Sequence, residues 1–246
     1  MEMDKFQLYF QPKVNVKDNH IISYEILLRN KETFPYYPSS DMDEIIGNQE
    51  KHALFLSWFE SQLINQLNLF PTLIYSINFT PKQLLYSETH TFLTNIITFK
   101  ERVMIELTED KIAYFCPIKY LNIEMIDQEI ISSLSLVREK GYNISLDDVG
   151  SGGNSLEKVE SYLPYIDQIK FSLIKYNSRL IEDETIQFFL KGWNSLARNN
   201  KIELIVEGIE NQETMNFLLS NNIYLQQGYF FGKPSKCVYE KNESKY

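Results

Sequence analysis

A chain of 246 residues, 43% of them hydrophobic, with 9 glycines and 8 prolines, suits one compact α/β domain over residues 1–246 with no long linker. Its formal net charge of -9 argues against a nucleic-acid duplex or an anionic membrane surface as a partner, because both need clustered Lys and Arg. Cys116 and Cys237 lie far apart with no CxxC or Cys/His spacing, no run approaches the ~18 apolar residues that span a bilayer, and MEMDKFQLYF has no secretory pattern, so a reduced, cytoplasmic protein is expected.

Phe6 to Val16 and Ile21 to Leu28 alternate as strands around the polar turn Lys17-Asp18-Asn19-His20, which reads as a hairpin. Asp43 to Leu67 carries Ile45, Leu54, Phe55, Trp58, Phe59 and Leu63 at helical spacing, with Asp41 or Asp43 as its cap. Leu73 to Thr80 is a strand, and Pro81 suits the first position of the helix after it. Val103 to Glu109 is the next strand, followed by a helix from Asp127 to Lys140 that stops at Gly141. The strand from Ile144 runs into Asp147-Asp148 and the loop Val149-Gly150-Ser151-Gly152-Gly153-Asn154. A short helix near Ser155 to Tyr162 and the strand Gln168 to Leu173 follow. Thr185 to Asn199 reads as a helix with Phe188, Phe189, Trp193 and Leu196 inward. The strand Ile202 to Ile209, the helix Gln212 to Ser220 and the strand Leu225 to Phe231 close the series. Repeated β-α alternation implies parallel strands with helical crossovers, and length and strand count favour a closed barrel over an open sheet.

Glu25, Asn78, Glu106, Asp147, Asp148, Lys170, Glu207 and Gln227 fall in or at the ends of different strands, the adjacent Asp pair apart. Singly they have plainer uses: Glu25 pairing with Arg29, Asn78 as a turn residue, Asp147-Asp148 as a solvated turn before glycine. In a parallel barrel, however, strand ends converge on one rim, where the chemistry sits. Oxygen donors in that number suit Mg²⁺ or Mn²⁺ better than zinc, and two such ions serve phosphodiester hydrolysis. Asp147 and Asp148 would point to opposite sides unless the backbone turns there, as the following glycines permit.

The motifs resemble those of the bacterial EAL domain family. Gln11-Pro12 and Tyr24-Glu25-Ile26-Leu27-Leu28-Arg29 are similar to its opening Q-P and E-A-L-L-R, Asn78-Phe79-Thr80-Pro81 to N-x-[ST]-P, and Glu106-Leu107-Thr108-Glu109 to E-x-T-E. Leu146 to Gly152 is similar to L-D-D-F-G-T-G, Lys170 stands at the lysine of K-x-D, and Glu207-Gly208-Ile209-Glu210 and Gln227-Gly228-Tyr229 match E-G-V-E and Q-G-Y. The resemblance implies a (β/α)8 TIM-type barrel with an antiparallel first strand and a metal-dependent phosphodiesterase that opens cyclic di-GMP to pGpG. It implies two divalent ions, Mg²⁺ or Mn²⁺. Glu25, Asn78, Glu106 and Asp147 would hold one, and Asp147, Asp148 and Glu207 the other. Lys170, Glu207 and Glu25 would be catalytic, Gln11, Leu28, Arg29 and Gln227 would meet the substrate, and Glu210 and Ser151 would anchor the loop after Asp148. A homodimer is the further partner it implies.

Ile26, Val149, Gly153, Asn154 and Ser172 depart from the pattern, standing for Ala, Phe, Tyr, Ser and Asp, and an insertion lies in or beside Ala113 to Asp127. With no sensory segment before Gln11 or after the last strand, regulation is expected through partners or oligomerisation. Loss of the two aromatics from the loop predicts that it moves freely, that the second ion binds more weakly than the first, and that restoring Phe and Tyr lowers the metal requirement. The alternative reading is a degenerate EAL-like domain that binds cyclic di-GMP or a protein without cleavage.

Overall fold

The structure is a computed structural model that describes residues 3–110, 123–176 and 182–238. The expectations for Cys116 and for most of the stretch 113–127 lie outside the described residues.

Strands β1 (Phe6–Asn15) and β2 (His20–Asn30) form the expected hairpin, antiparallel with Gln11 opposite Glu25 and a bulge between Lys13 and Val14. Strands β3 (Tyr75–Phe79), β4 (Val103–Leu107), β5 (Asn143–Leu146), β6 (Gln168–Ser172), β7 (Glu203–Glu207) and β8 (Leu225–Gln227) continue the sheet in parallel. Strand β8 then pairs antiparallel with β1, which closes an eight-stranded α/β barrel of TIM type with an antiparallel first strand.

Alternation along these strands sorts apolar residues outward, against the helices, and polar ones inward. Ile105, Leu107, Ile144, Leu146, Ile169, Phe171 and Val206 form the buried layer beneath the helices. The alternate positions Ser76, Glu106, Ser145, Gln168, Lys170 and Gln227 are buried too, and their polar atoms find one another inside the barrel. TIM barrels usually fill this space with branched aliphatics, so a polar interior signals a site that reaches below the rim.

Helices α1 (Ser39–Gly47) and α2 (Gln49–Leu69) replace the single helix expected from Asp43 to Leu67. Asn48 makes the break: its extended backbone ends α1, and its side chain accepts from the Lys51 amide at 3.0 Å to cap α2. Asp41, an expected cap, instead pairs with Lys5 and Asn30. Helix α3 (Pro81–Leu84) begins with Pro81, as expected, inside a capping box made by Thr80 and Gln83. Helices α4 (Ser87–Asn95), α5 (Ile123–Glu139), α6 (Leu156–Tyr162) and α8 (Gln212–Ser220) complete the shell with α7 (Glu184–Asn200). On α7 the buried stripe is Ile186, Leu190, Trp193 and Ala197. Phe188 and Phe189, expected inward, are 67% and 55% exposed because they lie off that stripe.

Candidate metal centre

The strand ends bring the polar residues to one place. Glu25 on β2 accepts from Asn78 Nδ2 on β3 at 2.8 Å and from Gln227 Nε2 on β8 at 2.8 Å. Lys170 on β6 sits among the acids, its Nζ 3.3 Å from Glu25 Oε2, 3.0 Å from Glu106 Oε2, 3.0 Å from Asp147 Oδ1 and 3.1 Å from Glu207 Oε2. An ammonium has only three hydrogens to share among those four carboxylates, so acceptors are in excess. The other oxygen of Glu106 is taken from below by Lys13 on β1, which also donates to Ser76 Oγ at 2.8 Å.

Two carboxylate groups result, Glu25 with Glu106 and Asp147, and Asp147 with Asp148 and Glu207, each with ligand oxygens within 4.8 Å of one another. Asp147 belongs to both. Adjacent strand residues would normally diverge; here Asp148 takes a left-handed backbone, with φ of 49°, which turns its carboxylate back toward that of Asp147. The reversal therefore begins on Asp148 itself, ahead of the glycines.

Burial pushes the Asp147 carboxyl up to about 8, with Glu207, Glu106 and Glu25 adding to the shift against Lys170. Glu207 is pushed up to about 7, again chiefly by burial, with Glu25 and Asp148 adding to it. Glu106 is buried as deeply, yet Lys13 and Lys170 together outweigh that burial and hold it down at about 2. Burial opposes the charge on Lys170 as well, but Asp147, Glu106, Glu207 and Glu25 hold its ammonium well above the ordinary lysine value.

Asn78 Oδ1 and Asp148 Oδ1 are buried acceptors that no donor among the described residues reaches. Such atoms cost about 1–3 kcal/mol each when left bare, and a divalent cation satisfies them. The donor set is entirely oxygen, which fits a hard cation such as Mg²⁺ or Mn²⁺.

Residues 1–234 match the family model of the EAL domain. The chain belongs to the EAL domain family. It is 27% identical over 241 residues to PdeG of Escherichia coli K12, named a probable cyclic di-GMP phosphodiesterase, with 92% of this chain and 44% of that protein covered. It therefore spans less than half the length of that curated relative. Among solved structures, an EAL domain protein from Listeria monocytogenes EGD-e superposes with a TM-score of 0.71 at 26% identity, over 95% of this chain and 90% of that one. Klebsiella pneumoniae BlrP1, solved with manganese and cyclic di-GMP, shares the fold with a TM-score of 0.68 at 22% identity, over 96% of this chain and 57% of that one.

The EAL signature segment on β2 divides between two faces. Glu25, Leu27 and Arg29 line a cavity of about 620 Å³ above the acids, together with Gln11, Gln227 and Tyr229. Leu28, expected in this groove, packs against the core, because strand neighbours point oppositely. Leu27 takes its place. Arg29, half-buried, donates to the Leu28 carbonyl at 2.8 Å.

The loop after Asp148 is held by hydrogen bonds where EAL sequences place aromatics. Gly150 N donates to Asn154 O at 2.8 Å, Ser151 N to Asp148 O at 3.1 Å and Gly153 N to Glu109 O at 2.7 Å, and Asn154 Nδ2 donates to Asp147 O. Val149 is 2% exposed. Glu210, expected to anchor this loop, lines the cavity and makes no hydrogen bond to the loop among the described residues. Glu109 anchors it instead, since β4 is the immediate neighbour of β5 while β7 lies two strands away. Gly152 comes so close that a Cβ there would stand 2.5 Å from Glu109 Cγ. Ser151 takes part through its backbone, donating to Asp148 O and accepting from Asn154 N.

Three participants escaped the sequence reading: Lys13, Lys175 and the anchoring role of Glu109. Lys13 was findable, because it lies two residues after Gln11 and so shares its inward face. Lys175 follows β6 in a short 3-10 turn (Ile174–Tyr176) and carried no such signal.

Proposed function

We propose that this EAL domain is a cytoplasmic, metal-dependent phosphodiesterase that opens cyclic di-GMP to linear pGpG. The observation that carries the reading is the pair of carboxylate groups joined through Asp147 beneath a cavity of about 620 Å³. Glu25, Asn78, Glu106 and Asp147 would hold one Mg²⁺ or Mn²⁺, and Asp147, Asp148 and Glu207 the second. Bound there, two such ions acidify water and screen the phosphodiester charge.

The chain's own groups supply the rest. As the water oxygen bonds to phosphorus, the P–O3′ bond breaks in line; one water proton passes to Glu207 or Glu25, and a proton returns to the departing 3′-oxygen. Lys170, held charged by its four acids, acts as a donor that orients the water and stabilises the developing charge, not as a base. Gln11 and Gln227 face the cavity with Arg29, whose planar guanidinium suits a phosphate. Leu27, on that face of β2, supplies the apolar wall.

A second copy of the chain completes the partner set. Phe188 and Phe189 stand exposed on α7 beside Trp193, and the Trp193 indole would lie 3.2 Å from a Cβ on Gly150. Pairing over α7 would thereby bear on the loop that carries Asp148.

Purified protein incubated with cyclic di-GMP and Mn²⁺ or Mg²⁺ is expected to yield pGpG by chromatography and mass, and EDTA is expected to stop it. Binding of cyclic di-GMP without pGpG at any ion concentration would replace this reading with the degenerate binder.

A further inference from the structure

The second carboxylate group already has a positive neighbour. Lys175 Nζ lies 3.0 Å from Asp148 Oδ2 and 2.8 Å from Glu109 Oε1. Asp148 thus divides its two oxygens: Oδ2 is claimed by the ammonium, and buried Oδ1 has no donor among the described residues. Lys170 touches both groups and so does not distinguish them; Lys13, buried at 1% exposure within its strand, touches the first alone, whereas Lys175, 41% exposed on a turn, touches the second alone.

From this geometry we infer that Lys175 sets the occupancy of the second ion: its ammonium is a resident counter-charge for Asp148, and a second divalent cation binds against its repulsion. The inference rests on the metal-centre reading above and adds to it a residue that the ligand set does not contain. A unit charge a few ångströms from a dication opposes it even at an effective dielectric of about 20, and solvent exposure reduces this without removing it. Enough remains to separate two ions that share Asp147. Glu109 ties this to the loop: the same residue that accepts from Lys175 accepts from Gly153 N at 2.7 Å, so the ammonium and the loop are held by one side of the site.

The protein gives a direct test through calorimetric titration with Mn²⁺, in the absence of nucleotide, of the parent chain, Lys175→Met and Lys175→Arg. The parent is expected to take up one ion tightly and a second weakly. Lys175→Met should tighten the second step by ~10-fold or more and leave the first unchanged, while Lys175→Arg, which keeps the charge, should behave as the parent does. The first step serves as the check that each variant is folded. Identical second steps in parent and Lys175→Met, or a weaker one in Lys175→Met, would overturn the inference: the lysine would then be inert or would serve to orient Asp148. Absence of Mn²⁺ uptake in all three proteins is a separate outcome, which removes the metal-centre reading itself.

Discussion

Lys13 and Glu106 form an ion pair inside the barrel, with side-chain exposures of 1% and 0%, although 93 residues separate them in the chain. Removing one partner of a buried pair costs up to about 3–5 kcal/mol, and Glu106 left without Lys13 keeps only Lys170 as its counter-charge. Lys13→Met is therefore expected to destabilise the fold by that order in urea denaturation. Lys13→Met with Glu106→Gln should cost less than the two single changes added together. Simple additivity would mean that the pair does not interact as its geometry requires.

Asp147 and Glu207 give the ion-free protein an unusual pH dependence. Their carboxyls stand at about 8 and about 7 in the fold, against values near ~4 in an unfolded chain. Between those limits the folded state holds protons that the unfolded state has released. This contribution to stability is thus fully present below pH ~4 and is lost as pH rises through 7 to 8. Melting temperature in EDTA should fall across pH ~5 to ~8.5, and saturating Mn²⁺, which needs the same carboxylates ionised, should cancel or reverse the fall. A flat or rising profile in EDTA would contradict the buried cluster.

Glu25→Ala and Asp147→Ala should each lower the rate of pGpG formation by ~100-fold or more, as each deletes a charged ligand and with it much of the transition-state charge stabilisation. Asp147 belongs to both carboxylate groups, so its loss should reduce Mn²⁺ uptake at both steps, whereas Glu25→Ala should affect the first alone. Near-parent rates in either variant would refute the hydrolytic assignment.

The hydrogen bonds of the loop Val149 to Asn154 argue against one expectation drawn from sequence. Val149 is buried and a Cβ on Gly153 would lie 3.0 Å from the Glu109 carbonyl, so the family's Phe and Tyr would have to displace their neighbours as the loop stands. Val149→Phe should destabilise by about 1–3 kcal/mol through overpacking. The double variant with Gly153→Tyr should raise, not lower, the Mn²⁺ concentration for half-maximal rate. A lowered requirement would show that aromatic pinning, as the sequence suggests, outweighs the hydrogen bonds seen here.

By itself the sequence determined the barrel, the antiparallel entry and the rim that carries the acids, because these follow from periodicity and from the strand-end positions of Glu25, Asn78, Glu106, Asp147 and Glu207. Both are local properties that a chain displays without folding. The match of these motifs in order added the family. Only the tertiary structure decided that Lys13 meets Glu106, that Glu109 and not Glu210 holds the loop, and that Lys175 stands beside Asp148. It also turned Phe188 and Phe189 outward from a helix whose pattern could seat either face. Each of these depends on which elements become neighbours when the sheet closes. Distances across a barrel are set by strand tilt, stagger and bulges, which residue spacing along a single strand does not encode.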